Sequence, residues 1–211
     1  MIFTSWRNFV PLVRQSTAKC PVSGMAAQVR EAAREFCARA RIWTDKSLVS
    51  DVLAGEGAYG LRPPDQADIR CVLSVRFQGA RLTPLTPGQW RSLPEQTACA
   101  PTHFIFTEPN VVRLYPTPQE DVPGALLVEV VLIPAVNSAQ GPEFLLSKHG
   151  TTIAHGAISK LMLMPDRPWS DPGGGAFYEK KFEDGVAGAT INVEQGGAGA
   201  PASSQYRPFF D

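Results

Sequence analysis

Charge is scarce in this 211-residue chain: Asp, Glu, Lys and Arg together make up 19% of it, below the usual quarter. Its 20 basic and 20 acidic side chains cancel to a formal net charge of zero. A sequence-general nucleic-acid binder needs a positive surface to displace counterions, so that class is excluded, although DNA passing nearby is not. Histidine is rarer still, at three residues. His149 and His155 stand six positions apart on one predicted helix, neither i,i+3 nor i,i+4, so they share no face on which one metal could sit. His103 is alone in a predicted strand. Cys20, Cys37, Cys71 and Cys99 are scattered. With no Cys-x-x-Cys pair, zinc-ribbon spacing is excluded. The chain is large enough to fold without disulfides, and the cysteines read as reduced, mostly buried thiols.

Motifs for group transfer are also missing. There is no Gly-x-Ser-x-Gly nucleophile elbow and no phosphate loop closing on Gly-Lys. Gly173-Gly174-Gly175 lies at a helix entrance, but no strand leads into it and Lys180 and Lys181 follow too late to serve an anion. It reads as a flexible corner. Among the mid-chain carboxylates only Glu120 and Asp121 adjoin, in a Pro-bounded turn where charge serves solvation. Trp43, Trp90 and Trp169 fall in three elements with no basic groove beside them, which favours packing over base stacking. No hydrophobic run approaches the roughly 18 apolar residues of a membrane span. The first 13 residues, broken by Arg7, Asn8 and Pro11, lack the apolar core of a secretory signal. The expectation is a soluble chain with no catalytic residue, metal, cofactor or membrane partner.

What is present is a hydrophobic fraction of 44% together with 19 Pro and 18 Gly, a real core cut by many turns. Residues 1–22 look irregular, with a short strand or turn near 9–13. Ser23 is a plausible N-cap for a helix over 24–43, whose Val29, Ala32, Ala33, Phe36, Cys37 and Ala40 form one apolar stripe. From residue 47 the period shortens to that of strands. Residues 68–78 alternate best, residues 102–107 and 110–115 form a hairpin across Glu108-Pro109-Asn110, and residues 124–133 form another strand. After Pro142 a short first turn precedes a helix over 150–164 that points Ile153, Ala154, Ala157, Ile158, Leu161, Met162 and Met164 inward. Pro165, Pro168 and Pro172 make a corner. Asp171 then caps a last helix with Pro172 at its first position, and Tyr178, Phe182, Val186 and Ala189 form its stripe.

The fold class expected is therefore α+β: a helical bundle of an N-terminal helix and two or three C-terminal helices, carrying an inserted antiparallel β domain. The segments are 1–46, an N-terminal part with the first bundle helix; 47–135, the β domain; 136–194, the C-terminal helices; and 195–211, a flexible tail. The expected bundle core is Val29, Phe36, Ile153, Ile158, Leu161, Tyr178 and Phe182. Tyr206, Phe209 and Phe210 end the tail, and three aromatics on a tether suggest an arm that docks into a groove on a neighbouring chain.

Several segments match a known family in order: Pro11-Leu-Val, Cys20-Pro21, Val29-Arg-Glu-Ala-Ala-Arg-Glu-Phe-Cys37, Pro101-Thr-His-Phe, Val112-Arg-Leu-Tyr-Pro-Thr-Pro118, Ala154-His-Gly-Ala and Pro168-Trp-Ser-Asp-Pro172. Over residues 10–190 the chain resembles the head-to-tail adaptor, or connector, proteins of tailed bacteriophages, of the podovirus-like tail-tube adaptor type. The resemblance implies a structural virion protein at the neck, assembled in the host cytoplasm as a twelve-fold homo-oligomeric ring. Such a ring binds the portal on one side and tail or nozzle proteins on the other, and genomic double-stranded DNA leaves through its lumen without sequence-specific contacts. It carries over no catalytic residues. Loops 80–93 and 116–123 are free to contact the next ring. The alternatives are another tail component, such as a tail-completion or tube protein, and a small hydrolase with a β-rich lid.

Overall fold

The computed structural model describes residues 1–94 and 100–196. It is an α+β structure of two compact units. One comprises Met1–Ala32, Arg39–Ile42 and the chain from Pro142 onward; the other comprises Ala33–Ala38 and Trp43–Gly141.

The first unit opens with strand β1 (Phe3–Ser5), a 3-10 turn at Trp6–Phe9 and helix α1 (Val10–Arg14), where the sequence suggests irregular chain with a strand or turn. The helical signal is present in hindsight. Trp6, Phe9, Val10 and Val13 are all buried, at the i, i+3, i+4, i+7 spacing of one helical face. Pro11 sits in the first turn of α1, where no amide bond is lost. Helix α2 (Val22–Ala40) begins earlier than Ser23 as a cap would allow. The Pro21 carbonyl accepts from the Met25 N–H at 3.0 Å, which places Ser23 inside the first turn. Arg41, in the left-handed region at φ 51°, follows the end of the helix.

Helix α4 (Glu143–Met162) is one continuous element rather than a short turn followed by a helix. The Glu143 N–H donates to the Ile2 carbonyl at 2.9 Å. Helix α5 (Pro172–Glu194) starts as the sequence indicates: Asp171 is the N-cap, its carboxylate accepts from the Gly174 N–H at 3.1 Å, and Pro172 opens the first turn. The three glycines at 173–175 are thus the first turn of a helix, not a flexible corner. Replacing Asp171 by alanine removes the side-chain acceptor for the Gly174 N–H. It should cost about 1 kcal/mol, seen as a drop of roughly 2–4 °C in Tm.

Helices α4 and α5 pack through glycines. An ideal Cβ on Gly156 would lie 2.8 Å from the Phe182 ring, so the ring occupies the space that any side chain at 156 would need. Gly185, where a glycine in mid-helix would by itself weaken α5, is where a Cβ would collide with Thr152 of α4. Across the same interface buried Ser159 donates to Glu179 at 2.8 Å. Arg39 of α2 forms a two-pronged ion pair with Glu183 of α5.

The second unit contains two four-stranded sheets. Strand β2 (Thr44–Val52), β4 (Ala67–Phe77), β5 (Ala80–Arg81) and β9 (Val122–Pro134) are ordered β2-β9-β4-β5 and pair antiparallel throughout. Strand β3 (Ala58–Gly60), β6 (Thr83–Pro84), β7 (His103–Thr107) and β8 (Val111–Tyr115) are ordered β3-β8-β7-β6. Here the β6–β7 pair is parallel, so the module is mixed, not wholly antiparallel. The register of β4 against β9 shifts twice, between Ile69 and Cys71 and between Val72 and Ser74. Each bulge moves the side chains to the other face, which is why Cys71 and Leu73 are half-buried while Ile69, Val75 and Phe77 are buried. Arg34 of α2 donates to Asp68 at 3.1 Å and to the Pro134 carbonyl, joining helix and sheet end within this unit. The segment 80–93 is not an open loop. It carries β5, β6 and the short helix α3 (Pro87–Arg91), whose Thr86 and Gln89 form a capping box. A last short strand, β10, spans Gln140–Pro142.

Candidate functional site

The histidines are divided between the two units. His103 shares a hydrogen bond between its Nδ1 and Thr102 Oγ1 at 2.8 Å, in the second unit. His149 and His155 are half-buried on α4, in the first. Burial holds both imidazoles below the ordinary value, reinforced by Lys148 for His149 and by Lys181 for His155. Both are therefore protonated more readily unfolded than folded. Their stabilising contribution is complete above an unfolded value near 6.5 and is lost as pH falls through the lower folded values. Tm should fall as pH is lowered from about 7 to about 5, and the His149→Asn/His155→Asn variant should show a shallower fall.

Burial pushes the Cys37 thiol up to about 12 and raises that of Cys20. Neither is poised to form a thiolate nucleophile. Cys20, Cys37 and Cys71 are free thiols; Cys99 lies outside the described residues. Among the described residues no three His, Cys, Asp or Glu side chains gather as metal ligands, and no helix is long and apolar enough to cross a membrane. Two shallow cavities in the second unit enclose about 250 and 260 Å³. The first runs past Phe77, Pro101, Pro118 and Glu120; the second past Cys71, Leu85, Phe104 and Phe106. Neither brings an acid, a base and a nucleophile together.

Of the residues expected in a bundle core, Val29, Ile153, Ile158, Leu161 and Phe182 are buried and belong to the first unit. Phe36 is buried too, but belongs to the second unit. Tyr178 is half-buried; its hydroxyl shares a hydrogen bond with Ser16 Oγ at 2.8 Å, and its ring lies 5.5 Å from that of His155. Tyr206, Phe209 and Phe210 lie outside the described residues. In the segment 116–123, the Pro118 carbonyl accepts from Gly55 N–H at 2.8 Å and the Asp121 carboxylate from Ala54 N–H at 2.7 Å. That tie between neighbouring turns was not apparent from the sequence.

Surface apolarity on α5 was missed as well. Phe177, Lys181, Asp184, Gly188 and Ile191 are all exposed, at i, i+4, i+7, i+11 and i+14 along one side. Phe177 and Ile191 retain 56% and 52% of their accessible surface. A surface helix normally fills that side with charge. Lys181, Asp184 and Gly188 separate these two apolar side chains along that side.

The described residues form an α+β fold. The chain belongs to the SU10 adaptor protein family, whose model matches residues 12–205. The family is one of structural phage adaptors and not of enzymes, which implies a virion component at the head-tail junction that meets portal and tail proteins. No curated protein matches the chain.

Proposed function

We propose that this chain assembles into a twelve-fold ring of the podovirus-like tail-tube adaptor type, seated between portal and tail and surrounding the channel through which DNA is ejected. The family match across residues 12–205 carries this reading. A cyclic ring needs heterologous contacts, one surface of each copy against a different surface of the next. Rigid helices with close seams, such as α4 against α5, are suited to act as its wedges. A chain with 20 positive and 20 negative side chains also suits a lumen where DNA must slide, because each phosphate contact made by a surplus cation would strengthen retention.

The test is native mass spectrometry of the chain mixed with the purified portal of the same phage. The reading expects one discrete complex bearing a full ring. Absence of bound chain overturns it. Binding to tail proteins alone, with the portal ignored, would make the chain a tail-completion or tube component instead.

A further inference from the structure

Two arginines stand directly opposite each other on one face of the β2-β9-β4-β5 sheet. Arg76 of β4 and Arg81 of β5 are cross-strand partners, and both are exposed. We propose that this pair anchors a docking surface for another protein, and that it receives an acidic side chain of that partner, with an apolar side chain two residues along.

The backbone holds the two cations together. Gln78 and Gly79 are both in the left-handed region, at φ 49° and 83°, as the two central residues of a type I′ hairpin turn must be. Phe77 and Ala80 flank that turn as partners. One step further back, the Leu82 N–H donates to the Val75 carbonyl at 2.9 Å. Arg76 and Arg81 lie between these two pairs, so theirs is the non-hydrogen-bonded pair, in which side chains are closest. The Gln78 N–H also donates to the Ala125 carbonyl at 2.9 Å, which ties the hairpin to β9 and resists a slip in register.

Like charges directly opposite cost stability. Neither guanidinium makes an ion pair with a described residue. Glu129 is on the same face, one row along beside Ser74, but both its oxygens are taken. Ser74 donates to one at 3.0 Å, and the Lys46 ammonium stands 3.2 Å from the other. Two adjacent guanidiniums present parallel N–H donors that match the two oxygens of one carboxylate. On the other side of Arg76, its partner on β9 is Leu127, 36% exposed. The midpoint of the arginine pair lies about 7 Å from Leu127, one and a half strand spacings. That is also the separation of alternate residues in an extended chain, so the face fits an acid-x-apolar segment. A nucleic-acid backbone would need cations repeated along the surface. The next row offers none, because Lys46 is committed to Glu129. The docking surface stands whatever assembly the chain enters.

The experiment is an NMR titration of the full chain, at low salt, with a short peptide repeating Glu-Thr-Leu-Thr. The Arg76 and Arg81 side-chain N–H signals and the Leu127 methyl signals should shift and saturate. Arg76→Gln/Arg81→Gln should weaken binding about ten-fold or more, and replacing Glu by Gln in the peptide should do the same. Arg81→Gln, which relieves the repulsion in the free protein, should also raise Tm by about 1–2 °C. Equal binding by the double variant, or no binding by the wild type, overturns the proposal. A fall in Tm for Arg81→Gln overturns it too and makes the pair a structural contact. If the same signals move when the protein alone is concentrated, a second copy is the occupant; if a short DNA duplex moves them at lower concentration than the peptide, the ligand is phosphate. Either result overturns the assignment to another protein.

Discussion

Val130→Asp should destabilise the chain by about 4 kcal/mol or more, seen as a large fall in the urea midpoint or as loss of a cooperative transition. Val130 has no exposed surface. It sits on β9 with Val72 of β4 as its partner on one side and Asp45 of β2 on the other. A carboxylate introduced there loses its water, gains no cation, and faces a like charge directly across the strands. Protonation relieves both penalties. Because burial raises its folded value above the unfolded one, the variant should be less impaired at about pH 4 than at pH 7. Val130→Ala, which removes only volume, should cost about 2 kcal/mol with no such pH dependence. A charged variant that melts like the wild type would mean that β9 is not the strand on which this sheet is built.

That centrality was only partly legible. The run Ala125-Leu-Leu-Val-Glu-Val-Val-Leu132 reads as a strand from its β-branched content. Its place between β2 and β4 does not follow from local pattern, since strand order is set by contacts far apart in sequence. The alternation of residues 69–77 finds β4 almost to the residue but misses both bulges, because a bulge is defined by its partner strand. Where two signals coincide the sequence is sharper: Asp171 followed by Pro172 locates the start of α5. Where they compete it fails. Pro11 and Pro87 suppress the expectation of helices α1 and α3, although a proline in the first turn is compatible with helix and Thr86-x-x-Gln89 is a capping box. Exposure of Phe177 and Ile191 on α5 has no local signal, because two apolar residues separated by Lys181, Asp184 and Gly188 make no amphipathic pattern.

Phe182→Ala should be comparably damaging to the first unit, at about 3–5 kcal/mol. The side chain is only 1% exposed, and its ring lies where a Cβ on Gly156 would sit 2.8 Å away. Removing it empties a space that backbone on α4 cannot fill, since no side chain stands there to relax inward. The converse change also destabilises. Gly156→Val pushes against the ring, and overpacking should cost about 1–3 kcal/mol, even though replacing glycine inside a helix by itself favours helix. If ring and glycine form one seam, the two changes cannot be additive. Gly156→Val combined with Phe182→Ala restores volume across the interface and should be less damaging than the sum of the single variants, by about 0.5–3 kcal/mol. Urea unfolding of the four proteins measures that coupling directly. Strict additivity would mean that the seam relaxes around each change independently, so that α4 and α5 are not locked in register by this contact.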